Sequence, residues 1–161
     1  MTRGQLLTLA EAACLSESWR DAGKRIVLTN GVFDLLHAGH VTYLEAARAL
    51  GDALFVGLNS DASAARLKGP ARPLLPEGER ALLLTALRSV DCVVIFEEDT
   101  AEALLRELRP HVYVKGGDYS LASLPEAAAA EAVGAEVRLL PVTAGRSTSA
   151  IIDSILRRYY R

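Results

Sequence analysis

The sequence predicts an α/β fold, with five short strands in a mostly parallel sheet and helices on both faces. Three observations support this. Short apolar runs suited to buried strands alternate with alanine- and leucine-rich runs suited to helices along all 161 residues. Half of the residues are hydrophobic, enough for a substantial core without disulfide or metal staples. The polar, glycine-bearing segments fall just after strand ends, where parallel sheets covered by helices bind their ligands.

The elements follow in order. A helix is expected over 6–19, then a strand over 25–29, whose β-branched and apolar run Arg25-Ile26-Val27-Leu28-Thr29 reads as buried. A helix over 41–50 and a strand over 53–59 come next. Gly69, Pro70, Pro73, Pro76 and Gly78 break the pattern and make 68–78 a loop. Alternation then resumes with a helix over 79–89, a strand over 92–96, a helix over 100–108 and a strand over 111–115. The last unit is a helix over 125–133, a strand over 136–140 and a helix over 147–158. The expected organisation is one domain over 1–161, with an N-terminal helix in 1–24 and an α/β core in 25–161.

Composition excludes several classes. A net charge of −2 with no basic block argues against general attraction to nucleic acid or membrane. No apolar run reaches membrane-spanning length, and Glu11 and Glu17 set the first segment apart from a signal or transit peptide. A cytoplasmic location is expected, with Cys14 and Cys92 as small buried hydrophobes.

The run Thr29-Asn30-Gly31-Val32-Phe33-Asp34-Leu35-Leu36-His37-Ala38-Gly39-His40 occupies a strand-to-helix turn. Free N–H groups and the positive end of the macrodipole suit such a turn to an anion. His37 and His40, three apart, can point the same way, and Gly39 lets backbone approach a ligand. Zinc is the competing reading, but no cysteine lies near and His111 is far along the chain. Segments 31–40, 59–61, 116–119 and 145–149 each follow a strand and are expected to meet on one rim. Two of the three lysines, Lys68 and Lys115, lie in glycine-adjacent motifs.

The stretch from Gly31 to His40 resembles the HxGH signature of the cytidylyltransferase-like nucleotidyltransferases, and Gly145-Arg146-Ser147-Thr148-Ser149 resembles their second signature. Similarity from Thr29 to Ile155 is closest to the adenylyltransferase domain that makes ADP-heptose. It runs through Asn59-Ser60-Asp61, Arg66-Leu67-Lys68-Gly69, Arg80 with Val90-Asp91, Phe96-Glu97-Glu98-Asp99-Thr100 and Lys115-Gly116-Gly117-Asp118-Tyr119. The resemblance implies a Rossmann-like fold and transfer of a nucleoside monophosphate from a nucleoside triphosphate, ATP ahead of CTP, to a small phosphorylated acceptor, a sugar phosphate of the heptose 1-phosphate type, with release of pyrophosphate. It implies that His37 and His40 stabilise the transition state and that Lys68 closes over the reacting phosphates. Asn30, Gly31, Phe33 and Gly39 would line the nucleotide, Ser147, Thr148 and Ser149 would hold its phosphates, and Arg80 would bind phosphate. Lys115, Gly116, Gly117 and Asp118 would border the base with Asn59 and Asp61 nearby, while Asp34 ties the phosphate loop together. Mg2+ would accompany the triphosphate with few protein ligands.

One departure bears on substrate. Glycerol-phosphate cytidylyltransferases carry an arginine three residues before the glycine of the second signature, where this chain has Val142, and the role of Arg146 stays open. Glycerol-3-phosphate cytidylyl transfer and a nucleotide-binding regulatory module are the alternatives; a dinucleotide oxidoreductase is disfavoured because no G-x-G-x-x-G follows the first strand. A stand-alone transferase is expected, working as a homodimer like many of the family it resembles.

Overall fold

The computed structural model describes residues 4–117, 119–141, 145 and 147–160. Its strands are β1 (Gln5–Leu6), β2 (Ile26–Gly31), β3 (Ala53–Asn59), β4 (Cys92–Phe96), β5 (Val112–Gly116) and β6 (Glu136–Leu140). The helices are α1 (Leu9–Asp21), α2 (Ala38–Arg48), α3 (Asp61–Lys68), α4 (Glu77–Thr85), α5 (Glu102–Leu108), α6 (Ala127–Ala132) and α7 (Thr148–Tyr159). The sheet order is β1-β4-β3-β2-β5-β6, with every pairing parallel.

The sheet has six strands where five were expected. Gln5 and Leu6 pair with Cys92 and Val93. Two residues are too short to show any alternation, and Leu6 is 51% exposed, so the strand carries no burial signal. Backbone bonds hold it instead, from Gln5 N to Asp91 O and from Leu7 N to Val93 O, each 3.0 Å. The first helix therefore starts later than residue 6. Thr8 caps it through a capping box with Glu11. A second element was also missed: α3 occupies 61–68, starting where Ser60 accepts a hydrogen bond from the Ser63 N–H. What read as a rim turn at 59–61 is the start of that helix.

Successive residues of β2 face opposite sides, which splits the core in two. Ile26 and Leu28 pack with Phe55, Val94, Tyr113, Leu104 and Leu105 on the side covered by α1, α5 and α6. Val27 packs with Leu54, Val56, Val112, Leu44, Ala47 and Leu84 on the side covered by α2 and α4. The N-terminal helix belongs to the first layer: Trp19 meets Phe55 edge-on at 5.7 Å, and Ser16 Oγ donates to Leu108 O at 2.6 Å. Cys92 is buried as expected, whereas Cys14 is exposed on the outer side of α1.

The strand order fixes where a ligand fits. From β2 the chain adds β3 and β4 on one side, then crosses back to add β5 and β6 on the other. The crossovers diverge between β2 and β5, and that divergence opens a crevice beyond their carboxyl ends, Gly31 and Gly116.

Candidate functional site

A cavity of about 410 Å3 lies in that crevice. Asn30, Gly31, Phe33, Asp34, His37, Gly39 and His40 line it from the β2–α2 connection, and Tyr43 from α2. Lys68 comes from the last residue of α3, inside the stretch expected to be loop, Arg72 from the proline-rich loop after it, Lys115 and Gly116 from the end of β5, and Ser147, Thr148 and Ser149 from the start of α7. Two helices begin at this cavity: α2, with His37 at its cap, and α7, where Ser147 Oγ accepts from the Ala150 N–H at 3.1 Å. Two positive helix ends and three cationic side chains thus share one cavity, a strong anion field.

The histidine rings stack with centroids 3.8 Å apart and 23° between planes. Phe33 leans on His40 at 5.3 Å. To do so Phe33 adopts a φ of +47°, costly for an aromatic residue, and the kind of strain that accumulates at functional turns. Burial, and then the neighbouring His37, push the His40 pKa down to about 4, against a hydrogen bond to the Leu35 backbone that favours the cation. His40 is therefore neutral at pH 7 without ligand. Among the described residues its buried Nδ1 has no hydrogen-bond partner, an unmet group of the kind a ligand or water satisfies.

Asn30 is oriented by its neighbours. Its Oδ1 accepts from Tyr113 OH at 2.7 Å and from Lys115 Nζ at 3.4 Å. Both of those partners act as donors there, so the amide oxygen faces them and the Nδ2 donors are left for other partners. Lys115 Nζ also donates to Glu126 Oε1 at 3.2 Å and lies 5.5 Å from the Tyr119 ring. Thr29 Oγ1 and Tyr43 OH share a 2.7 Å hydrogen bond beneath the cavity, and burial raises the Tyr43 hydroxyl to about 12.

Asp34 joins two loops. Its carboxylate accepts from the Leu74 and Leu75 N–H groups at 2.8 and 3.0 Å and from Arg72 Nε at 2.5 Å. Burial works against this charge, but those donors outweigh it and hold the carboxyl below its ordinary value. These contacts tie the histidine turn to the proline-rich loop.

Three expected residues lie elsewhere. Arg80 is wholly buried, and its guanidinium donates to Val32 O, Leu75 O and Asn59 O and pairs with Asp61 at 2.7 Å. Its four bonds are internal, so it braces the loops from behind and is not among the residues that line the cavity. Asn59 is buried with Nδ2 on Ser63 Oγ at 2.9 Å, and Asp61 serves Arg80, so neither lines the cavity. They sit one strand away, where α3 turns the chain aside. Gly117, with φ +108°, follows the lining glycine Gly116. Asp118, Val142 and Arg146 lie outside the described residues. Sequence reasoning missed Arg72 and Tyr43. A position between Gly69 and Pro73, beside Lys68, was the available signal for Arg72.

Comparison with known proteins bears on this geometry. The cytidylyltransferase-like family model matches residues 28–152. The bifunctional protein HldE of Pelobacter propionicus is 54% identical over 147 residues, which cover 91% of this chain and 30% of the relative. HldE of Geobacter sulfurreducens is 54% identical over 137 residues, 85% of this chain and 28% of the relative. The chain thus spans under a third of these relatives. A crystal structure of the lipopolysaccharide core biosynthesis protein from Thermoplasma volcanium superimposes with a TM-score of 0.62 at 30% identity, covering 75% of this chain and 98% of that one.

Proposed function

Because the chain belongs to the cytidylyltransferase-like family, we propose that it transfers AMP from ATP to a sugar phosphate of the heptose 1-phosphate type, releasing pyrophosphate. The observation that carries this reading is the meeting of His37, His40, Lys68, Lys115 and the Ser147 cap around one anion-attracting cavity between β2 and β5. At about 410 Å3 it is of ligand-binding size. The relative from Thermoplasma volcanium, named for lipopolysaccharide core biosynthesis, supports a sugar acceptor.

The chemistry asks little covalent work of the protein. An oxygen of the acceptor phosphate attacks the α-phosphorus, a new P–O bond forms, the α–β bridging bond breaks and pyrophosphate leaves with the electron pair. The reactants must be held in line and the growing charge met by fixed donors. His37 and His40 supply ring donors where α2 begins, Lys68 covers the phosphates from the end of α3, and the Ser147 to Ser149 segment offers hydroxyl and N–H donors from α7. Among the described residues no three His, Cys, Asp or Glu side chains form a metal cage, and the nearest carboxylate, Asp34, is engaged by Arg72, Leu74 and Leu75. A magnesium ion would enter with the triphosphate as part of the substrate, bound through phosphate oxygens and water.

The proposed setting is the cytoplasm; no helix among the described residues is long and apolar enough to cross a membrane. The proposed working form is a homodimer, supported by the exposed Ile155, Leu156 and Tyr159 of α7. Light scattering on the eluting protein tests that: a single species at the mass of one chain rules it out.

ATP and CTP assayed separately with heptose 1-phosphate and glycerol 3-phosphate test the activity. Pyrophosphate release with ATP and the heptose phosphate is expected. Release only with CTP and glycerol 3-phosphate would move the assignment to that reaction, and none with any pair would remove transfer altogether.

A further inference from the structure

We propose that Arg72 is a phosphate-binding residue of this cavity and that Asp34 is the group that aims it; the inference rests on the nucleotidyl-transfer reading above. Arg72 lies on the proline-rich loop, its side chain 15% exposed, and lines the cavity beside Lys68. The Asp34 side chain is 1% exposed and lies at the turn that carries His37 and His40. The two meet through Arg72 Nε and Asp34 Oδ2 at 2.5 Å.

The donor inventory decides what this contact is for. A guanidinium carries five N–H donors in a rigid fork. Only Nε is engaged here, which leaves both Nη groups, with four donors, unclaimed by any described residue. Asp34 does not need Arg72 for satisfaction. Oδ1 takes the Leu74 and Leu75 N–H groups at 2.8 and 3.0 Å, and Oδ2 takes a second contact from Leu74 N at 3.0 Å. A buried ion pair adds little stability over an apolar pair of similar volume, so stability alone does not explain an arginine here.

The carboxylate on the Nε edge does fix the plane of the fork, and the outer edge of a fork so held suits two phosphate oxygens. The neighbouring cations are arranged differently. Lys115 is already paired with buried Glu126 at 3.2 Å, while Lys68 sits at the end of α3 before the Gly69 turn. Arg72 is thus the cavity cation held in one direction with its binding edge open. The phosphate belongs either to the nucleotide or to the acceptor, and the two arms of the test separate them.

The full chain is compared with Arg72→Lys, Arg72→Gln and Asp34→Asn. Pyrophosphate release is measured with ATP varied at saturating acceptor, and with acceptor varied at saturating ATP. Binding of ATP, of pyrophosphate and of the sugar 1-phosphate is measured by calorimetry without turnover. Arg72→Lys, which keeps the charge and the Asp34 contact but loses the fork, is expected to fold as the parent does and to lose roughly tenfold in kcat/KM. Arg72→Gln should lose on the order of 100-fold, and Asp34→Asn should weaken the same reactant as Arg72→Lys does. A loss confined to the ATP arm assigns the nucleotide; one confined to the acceptor arm assigns the acceptor. Unchanged affinities and kcat/KM for every reactant in Arg72→Gln, with only the melting temperature moved, would overturn the proposal. If the parent releases no pyrophosphate from any pair, the transfer reading fails, and the calorimetric comparison still decides Arg72.

Discussion

Replacing Arg80 with methionine separates a brace from a phosphate ligand. The guanidinium is fully buried and donates at 2.7 Å to Val32 O, 2.8 Å to Asn59 O and 2.9 Å to Leu75 O. Methionine fills much of the same space but leaves these carbonyls without their donor. The Asp61 partner is 45% exposed and adds little, because water competes for it. Removing one side of a buried, hydrogen-bonded charge cluster costs about 3–5 kcal/mol. Against a total of about 5–15 kcal/mol that is a large share, equivalent to roughly 10 °C in melting temperature for a chain of this size. Urea unfolding read by circular dichroism gives the cost directly. Calorimetry with ATP, run well below the transition, should show affinity within about tenfold of the parent. A variant that melts like the parent yet loses ATP binding would refute the reasoning and return Arg80 to the phosphates.

The other predictions concern the cavity. His40→Ala should lower kcat by about 100-fold to 1000-fold, the cost of deleting one transition-state donor, with the fold intact by circular dichroism. NMR of the ligand-free protein should show His40 titrating near pH 4, from an ordinary value of 6.5, and saturating ATP should move that titration upward. A titration midpoint near pH 6.5 in the free protein would contradict the burial argument. The unfolded chain takes up this proton below about 6.5 while the fold resists it down to about 4, so the His40 contribution to stability is present above 6.5 and lost as the pH falls through that window. Denaturant midpoints at pH 7 and pH 5 check the sign in the parent and in His40→Ala. Ser147→Ala removes the hydroxyl that caps α7 and should cost about 1 kcal/mol, seen as faster amide exchange in the first turn of α7, and should also raise the KM for ATP.

The elements legible in the sequence are those whose pattern is long enough to carry a period. The bounds 53–59, 92–96 and 136–140 match β3, β4 and β6, because each run is a compact set of strand-forming residues between breakers. β1 was illegible because it is two residues held by backbone bonds, which leave no trace in side-chain type. α3 was hidden by Ser60, a helix cap that also reads as a turn residue. At the site, the histidine turn, Lys68, Lys115, Gly116 and the Ser147 cap do face one cavity, since strand ends of a parallel sheet share a rim. Arg80, given a phosphate by the resemblance, instead sends its long side chain back to three carbonyls and Asp61, contacts that leave no local pattern in the sequence. Arg72 escaped notice because its meaning depends on Asp34, 38 residues away.

The central claim is that this cavity joins a nucleotide to a sugar phosphate. Phosphorus NMR of the parent chain with ATP, magnesium and heptose 1-phosphate follows both products at once. The account predicts that a diphosphate-bridged sugar nucleotide and pyrophosphate accumulate in equal amounts, and that both form about 100-fold to 1000-fold more slowly in His40→Ala. ATP left intact beside unreacted sugar phosphate, or hydrolysed to pyrophosphate and AMP with no bridged product, would contradict it.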